Sequence, residues 1–307
     1  MRVKRVLLTG AAGFIGSHCL GPLIERGYEV HAVSRRDRAR NEGAVTWHEA
    51  DLLQPGAAGE LIGRVRPTHL LHLAWFVIPG KLINGTENLD WVIASIELVR
   101  QFADAGGVRL CVAGSGYEYD WGHGYCTEGL TPCVPDTVYG ASKHALHEMV
   151  RTYAGGRDLS AAWARVFFLY GPNEHPDRLV PSVIRSILRG EAARCSHGRQ
   201  IRDYLHVQDV ADGLVAVLDS EIRDAVNVSS GQAITLREIT STIGRLTGRP
   251  DLVQLGAIPA RPNDVALVIG SNARAAALGW QPRYDLESGL LQTIDWWRQR
   301  EPNGAKP

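Results

Sequence analysis

Sulfur is scarce in this sequence, and neither sign of charge is in excess. Five cysteines (Cys19, Cys111, Cys126, Cys133, Cys195) are spread over 307 residues, odd in number and without a Cys-x-x-Cys pair. That argues against a disulfide framework and against a zinc site, leaves no metal expected, and fits reduced thiols in the cytoplasm. Lys and Arg total 33, and so do Asp and Glu, for a net charge of zero. A general nucleic-acid binder needs a basic surface, so that class is not expected, although a local anion site is. No stretch approaches the ~18 apolar residues of a membrane span. The opening MRVKRVLLTGAAGFIG lacks the long apolar run and small-residue cleavage site of a signal peptide. There is no internal repeat and no low-complexity tract.

What is present suits a large core: 45% of residues are hydrophobic and 21% charged. At ~150 residues per domain the length allows one large domain or two fused ones. Short apolar runs at Val3–Thr9, Tyr28–Ser34, Thr46–Ala50, His69–Ala74, Arg109–Gly114 and Ala161–Phe168 read as strands. Stretches with helical spacing, such as Phe14–Arg26 and Glu87–Ala105, lie between them. Such alternation implies parallel strands with helices on both faces, an α/β doubly wound (Rossmann) sheet with its ligand site at the carboxyl ends of the strands. After about Gly171 loops rich in Pro, Gly and Asn appear between helical patterns at Leu179–Arg189, Val207–Asp219, Leu236–Thr247 and Leu286–Arg300. The expected division is a nucleotide-binding domain over 1–170, with chain crossings from about 205–230, and a smaller α/β substrate-binding lobe over 171–307. The tail EPNGAKP reads as frayed.

The strand VLLT runs into Gly10-Ala-Ala-Gly13-Phe14-Ile15-Gly16 and then an amphipathic segment. A tight turn favours residues without a Cβ, and a pyrophosphate must approach the backbone and rest on helix N-terminal N–H groups. The spacing is GxxGxxG, not GxGxxG. At the end of the second strand an acid would bind the ribose hydroxyl of NAD. Here Ser34-Arg35-Arg36 stands there, with no acid before Asp37, and two planar guanidiniums suit a 2′-phosphate. The expected cofactor is NADP(H), with NAD the alternative. Asp51 and Leu52 follow the third strand, where the carboxylate has reach to an adenine amino group.

Tyr139-Gly-Ala-Ser-Lys143 opens a helical stretch that puts Tyr139 and Lys143 on one face. A phenol has a pKa of ~10; a neighbouring ammonium and a cationic nicotinamide are expected to lower it, which makes Tyr139 a candidate general acid/base near neutral pH. Ser115, at the end of a predicted strand, is placed to hydrogen-bond the same substrate oxygen.

With these residues the sequence resembles the extended short-chain dehydrogenase/reductase family, in its nucleotide-sugar epimerase, dehydratase and reductase branch. TGAAGFIGSH, ADLLQP, HLAW, SGYEYDWG, YGASK, RVFFLYGP, RDYLHVQDVADG and NVSSG occur in the family's order. The resemblance implies Ser115, Tyr139 and Lys143 as the catalytic triad, with Lys143 also on the nicotinamide ribose. It puts Leu73, Ala74 and Trp75 beside the cofactor, and Arg202 and Arg261 on the diphosphate of a nucleoside-diphosphate sugar. Val180, in Leu179-Val180-Pro181, is implied to line the nucleobase pocket. Asp203 and Asp209 are implied to be structural, and a homodimer through the helices at Glu87–Ala105 and Tyr139 is the family's habit.

Departures narrow the chemistry. Where dehydratases carry Thr-Asp-Glu this chain has Ser115-Gly116-Tyr117, and where the family has an asparagine before its YGP-like turn it has Phe168. Tyr117 also replaces the cysteine of the dual epimerase/reductases. The expected function is an NADPH-dependent reductase of a nucleoside-diphospho-4-keto-6-deoxy sugar. A nucleotide-sugar 4-epimerase with tightly bound NAD is the alternative, and a non-catalytic NADP-binding sensor a distant third. His69 and His72 lie three apart on a strand, face opposite sides, and form no metal pair. His144 and His147 read as side chains of their helix's surface or packing face, Cys126 and Cys133 as free thiols.

Overall fold

The computed structural model describes residues 4–36, 43–260 and 264–301. A seven-stranded sheet is its frame. The strands are β1 (Arg5–Thr9), β2 (Glu29–Ser34), β3 (Val45–Glu49), β4 (His69–His72), β5 (Arg109–Ser115), β7 (Ser160–Val166) and β12 (Asp224–Val228), with the hairpin-free β6 (Tyr125–Cys126) elsewhere. All seven pair in parallel, in the order β12-β7-β5-β4-β1-β2-β3. The sequence outlines six of them. His69–Ala74 ends early, at His72, because the next two amides turn to the Thr9 side chain. Ala161–Phe168 splits: Val166 ends β7, and Phe168–Tyr170 forms β8, paired with β11 (Tyr204–His206).

Alternating side chains feed two cores, as a sheet covered on both faces requires. Val6, Leu8, Leu71, Cys111, Ala162 and Ala164 face one side. There α1 (Phe14–Glu25) contributes Cys19 and Leu23. Leu7, Leu70, Leu110, Val112 and Trp163 face the other side. That side is closed by α2 (Ala57–Val65), α3 (Glu87–Asp104) and α4 (Val138–Gly155).

The remaining elements follow in chain order: α5 (Leu179–Leu188), β9 (Ala193–Arg194), β10 (Ile201–Arg202), α6 (Val207–Leu218), β13 (Ile234–Thr235), α7 (Leu236–Leu246), β14 (Val253–Gln254), β15 (Leu267–Gly270), α8 (Ala273–Ala276) and α9 (Leu286–Arg298). Helix α6 packs with α1 on the first face of the large sheet. Helices α5, α7 and α9 share a third core of Ile184, Ile187, Ile239, Ile243, Leu290 and Ile294. A four-stranded sheet, β13-β10-β15-β6, lies beside it. Among the described residues no helix is long and apolar enough to cross a membrane.

One buried cation ties α6 to the sheet. Arg109, 5% exposed, donates from Nε to the Leu218 carbonyl at 3.1 Å and from its terminal nitrogens to Val217, Ile222 and Ser160. Helix-terminal carbonyls lack partners and carry the negative end of the helix dipole, so a guanidinium serves both needs. Arg109→Met strands these carbonyls and is expected to lower stability by about 3 kcal/mol. A urea titration checks it: the midpoint drops while the slope stays unchanged.

Candidate active site

The carboxyl ends of β1, β4 and β5 lie side by side, where an open α/β sheet binds its ligands. After Thr9 the chain turns through Gly10, which has φ of 70°. A Cβ on Gly10 would lie 2.8 Å from the Ala74 amide nitrogen, and one on Gly16 would collide with the Gly10 carbonyl. Glycine is required here by close approach of backbone to backbone. Helix α1 starts at Phe14 with Gly13 as its N-cap and no side chain capping it. The amides of its first turn, from Phe14, Ile15 and Gly16, are left without a capping side chain, which is an anion-binding arrangement.

A buried relay holds this turn against β4. Ser95 donates its hydroxyl to the Trp91 carbonyl at 2.6 Å, so the 2.9 Å contact to His72 is a donation from His72 Nε2. His72 Nδ1 is then an acceptor and takes the Thr9 hydroxyl at 2.7 Å. The Thr9 oxygen in turn accepts the amides of Leu73 and Ala74, each at 3.2 Å. Burial pushes His72 down to about 3, which keeps the ring neutral, the one form with a donor on one side and an acceptor on the other. His69, on the opposite face, packs edge-on against Tyr28.

Ser115 ends β5, and Tyr139 and Lys143 stand in the first turns of α4, whose N-cap Thr137 accepts the Gly140 amide at 3.0 Å. Ser115 lies close enough to Tyr139 for its hydroxyl to favour the phenolate. Burial pushes Tyr139 up to about 12, the reverse of the lowering expected beside Lys143, because desolvation outweighs Ser115 and the Arg178 charge. Lys143 is 4% exposed. Its Nζ donates to the Ala113 carbonyl at 2.8 Å and lies 3.6 Å from the centre of the Trp75 ring. Trp75 is itself held by Asn88, at 2.8 Å. Desolvation pushes Lys143 down to about 7.

The other residues singled out by sequence divide. Ser34 ends β2, followed by exposed Arg35 and Arg36 whose side chains have no partner among the described residues; only the Arg36 amide engages, donating to Ser34 Oγ at 3.3 Å. Asp51 Oδ1 accepts the Leu53 amide at 3.2 Å, a local turn, and Leu52 is buried beside it. Arg202 is buried and ion-paired with Asp264 at 2.6 Å. Val180 is 1% exposed and committed to the third core. Arg261 lies outside the described residues. Asp203 caps the amides of Ser230, Gly231 and Gly270, and Asp209 those of Arg283 and Tyr284.

Phe168 joins an aromatic wall with Tyr117, Trp121 and Tyr204, ring centres 5.6–6.4 Å away, and Arg202 lies 5.5 Å over its face. Tyr117 also meets Tyr139 edge-on at 5.6 Å. An apolar ring thus occupies the position where the resemblance puts an amide.

The family model for the NAD dependent epimerase/dehydratase family matches residues 6–229. The chain belongs to this family. The UDP-glucose 4-epimerase of Mycolicibacterium smegmatis is 27% identical, over 96% of this chain and 99% of that protein. Among solved structures, the Thermus thermophilus UDP-glucose 4-epimerase with NAD superposes with a TM-score of 0.86 at 26% identity, covering 96% of this chain and 99% of the other. MoeE5, solved with UDP-glucuronic acid and NAD, is 32% identical with a TM-score of 0.83 over 96% and 99%.

Within this epimerase/dehydratase fold the sequence reading passes over Glu118, Arg165 and Glu174. Glu118 is fully buried and Arg165 nearly so, at 2.8 Å. A lone arginine inside the apolar run AAWARVFF was the available signal, because a buried charge needs a partner. Glu174 is buried with Oε2 unpaired, and desolvation raises it to about 8; nothing in the pattern YGPNEHP marks it. His147 belongs to the packing face of its helix: it is buried, stacks on Trp163 and bonds Asp224 at 2.7 Å. Glu118, His144 and His147 form the one group among the described residues with ligand atoms within 4.8 Å of one another. The Arg165 guanidinium already bonds Glu118 and His147, so a cation sits where a metal would.

The low Lys143 value has a consequence for stability. In the unfolded chain a lysine keeps its proton to about 10.4, whereas the folded chain releases it near 7. Between those pH values the unfolded state binds more protons, so wild-type stability rises with pH. Replacing Lys143 by Met removes this dependence. The stability difference between the two proteins is expected to move in favour of wild type by on the order of 4 kcal/mol from pH 7 to pH 10. Denaturant titrations at both pH values measure it, and a constant difference contradicts the assignment.

Proposed function

We propose that the protein is an NADPH-dependent reductase of a nucleoside-diphospho-4-keto-6-deoxy sugar. The observation that carries the reading is the end of β2, where Ser34 is followed by two exposed arginines free to receive a 2′-phosphate and no carboxylate precedes Asp37. The rest of the cleft fits a dinucleotide. Gly10 and Gly16 admit backbone-close packing that a Cβ would block, and the first turn of α1 presents uncapped amides to a pyrophosphate. Leu73, Ala74 and Trp75 flank this turn, and Asp51 and Leu52 lie beyond β3 for the adenine.

When bound, the cofactor supplies hydride to the ketone carbon. Tyr139 gives its proton to the oxygen as alkoxide character develops. Burial keeps the phenol protonated at neutral pH, the form that a reduction needs. The Ser115 hydroxyl, beside Tyr139, orients the same oxygen. Lys143 stands one helical turn from Tyr139, with its Nζ held between the Ala113 carbonyl and the Trp75 ring, and would hold the nicotinamide ribose, as the resemblance implies. Arg202 spends one edge on Asp264 and the Ile201 carbonyl, which leaves guanidinium N–H groups for a diphosphate. Arg261 is assigned the same task by resemblance alone.

The test is NADPH consumption with a panel of nucleoside-diphospho-4-keto-6-deoxyhexoses, with Tyr139→Phe as control. Consumption that the variant abolishes is expected. Interconversion of nucleotide hexoses without added cofactor would instead establish the 4-epimerase reading, which the UDP-glucose 4-epimerase relatives favour. In the double variant Arg35→Ala with Arg36→Ala, the preference for NADPH over NADH is expected to fall on the order of 100-fold, as charge-assisted bonds to phosphate are lost. An unchanged ratio refutes the NADP assignment.

The protein is further proposed to be a homodimer. Leu89 and Ile93 of α3 are 55% and 68% exposed, and Val138 and Met149 of α4 are 37% and 50% exposed. Such an apolar surface on neighbouring helices suits a second copy. Ile93→Glu is expected to give monomers in sedimentation velocity.

A further inference from the structure

The carboxylate of Glu118 has no access to water and lies behind Ser115. We propose that Glu118 is a positioning residue: it grips the backbone amide of Ser115 and so fixes the Ser115 hydroxyl against Tyr139. The inference rests on the catalytic role proposed for Ser115.

Four contacts define the grip, and all come from N–H donors. The Ser115 amide donates to Oε1 at 2.7 Å. The Trp163 indole donates to both oxygens, at 2.8 and 3.0 Å. Arg165 Nε donates to Oε2 at 2.8 Å. Donors on every side suit an acceptor-only carboxylate and no neutral side chain of that shape. The chain makes room for it: a Cβ on Gly114 would lie 2.6 Å from Oε1 and collide with the Trp163 nitrogen.

The anchor reaches every element that carries a member of the triad. Trp163 and Arg165 belong to β7, the neighbour of β5. Arg165 also bonds His147, at 3.3 Å. His147 lies four residues beyond Lys143 on α4 and thus on the same helix face. A second arm of Arg165 bonds the Tyr119 hydroxyl at 3.0 Å, which continues to Asn227 of β12 at 2.8 Å. At the far end the Ser115 side chain accepts the Tyr117 amide at 3.2 Å. Ser115 is therefore held at its amide by Glu118, while its hydroxyl oxygen accepts from the following turn and keeps its own proton to donate, with Tyr139 beside it.

A double-mutant cycle separates positioning from mere support. The turnover followed is ketosugar reduction or, where reduction is absent, nucleotide-hexose interconversion; either uses the Ser115 hydroxyl. Glu118→Gln turns an amide N–H₂ toward N–H donors and loosens the turn. Its kcat is expected to fall about 100-fold, as for a small misplacement of a catalytic group, while KM for the nucleotide sugar changes by less than about threefold. In the Ser115→Ala background the same substitution is expected to lower kcat no further. Equal losses in both backgrounds, or an unchanged kcat in Glu118→Gln, overturn the inference. If Ser115→Ala alone leaves kcat intact, the catalytic reading of Ser115 fails instead. Where Glu118→Gln does not fold, Glu118→Asp keeps the charge for Arg165, falls short of the Ser115 amide, and carries the same cycle with the same outcomes.

Discussion

A carboxylate sealed from water at the end of β5 governs the geometry of this cleft. Stripping a charge of its hydration is costly unless hydrogen bonds and an opposite charge compensate. Glu118 receives both, from the Ser115 amide, the Trp163 indole and the Arg165 guanidinium. Ser115 lies on β5 and Trp163 and Arg165 on β7, and Arg165 reaches on to α4 through His147 and to β12 through Tyr119, so meeting that demand ties β5, β7, β12 and α4 together. A buried ion pair need not add net stability, but it strongly penalises arrangements that break it. That asymmetry suits a site whose chemistry depends on where one hydroxyl points.

The amino-terminal side of the cleft uses neutral groups for a similar end. Thr9, His72 and Ser95 form a chain in which every donor and acceptor is assigned, and it closes on the amides that follow β4. The glycine turn is thereby held within van der Waals distance of Ala74. A flexible turn would have to be ordered by its ligand; this one is ordered by hydrogen bonds already made, which lowers the cost of binding.

Lys143 and Tyr139 show how the same burial acts in opposite directions on two groups. It favours the neutral amine and the neutral phenol alike. The indole face of Trp75 and the Ala113 carbonyl partly offset this for the ammonium. For Tyr139, Ser115 and the Arg178 charge favour the phenolate but do not outweigh desolvation. The resting cleft therefore favours a proton on Tyr139, ready to be given away.

Much of this was legible in the amino-acid order, and the reason is locality. Parallel strands and their helices are written in hydrophobic period, so six of the seven central strands, the turn at Gly10–Gly16 and the Tyr139/Lys143 pair follow from neighbours within a few residues. The carboxyl-end rule then places Ser115 near them. What tertiary structure alone decided are pairings across long stretches of chain: Glu118 with Arg165, His147 with Asp224, Arg202 with Asp264, and the assignment of Phe168 to an aromatic wall. These contacts join residues up to 77 apart in sequence, and no period or motif encodes which distant partner a buried charge will find. Sequence set the elements and the chemistry available to them; the packed fold determined which groups meet, because only there does the cost of leaving a charge unpaired select its partner.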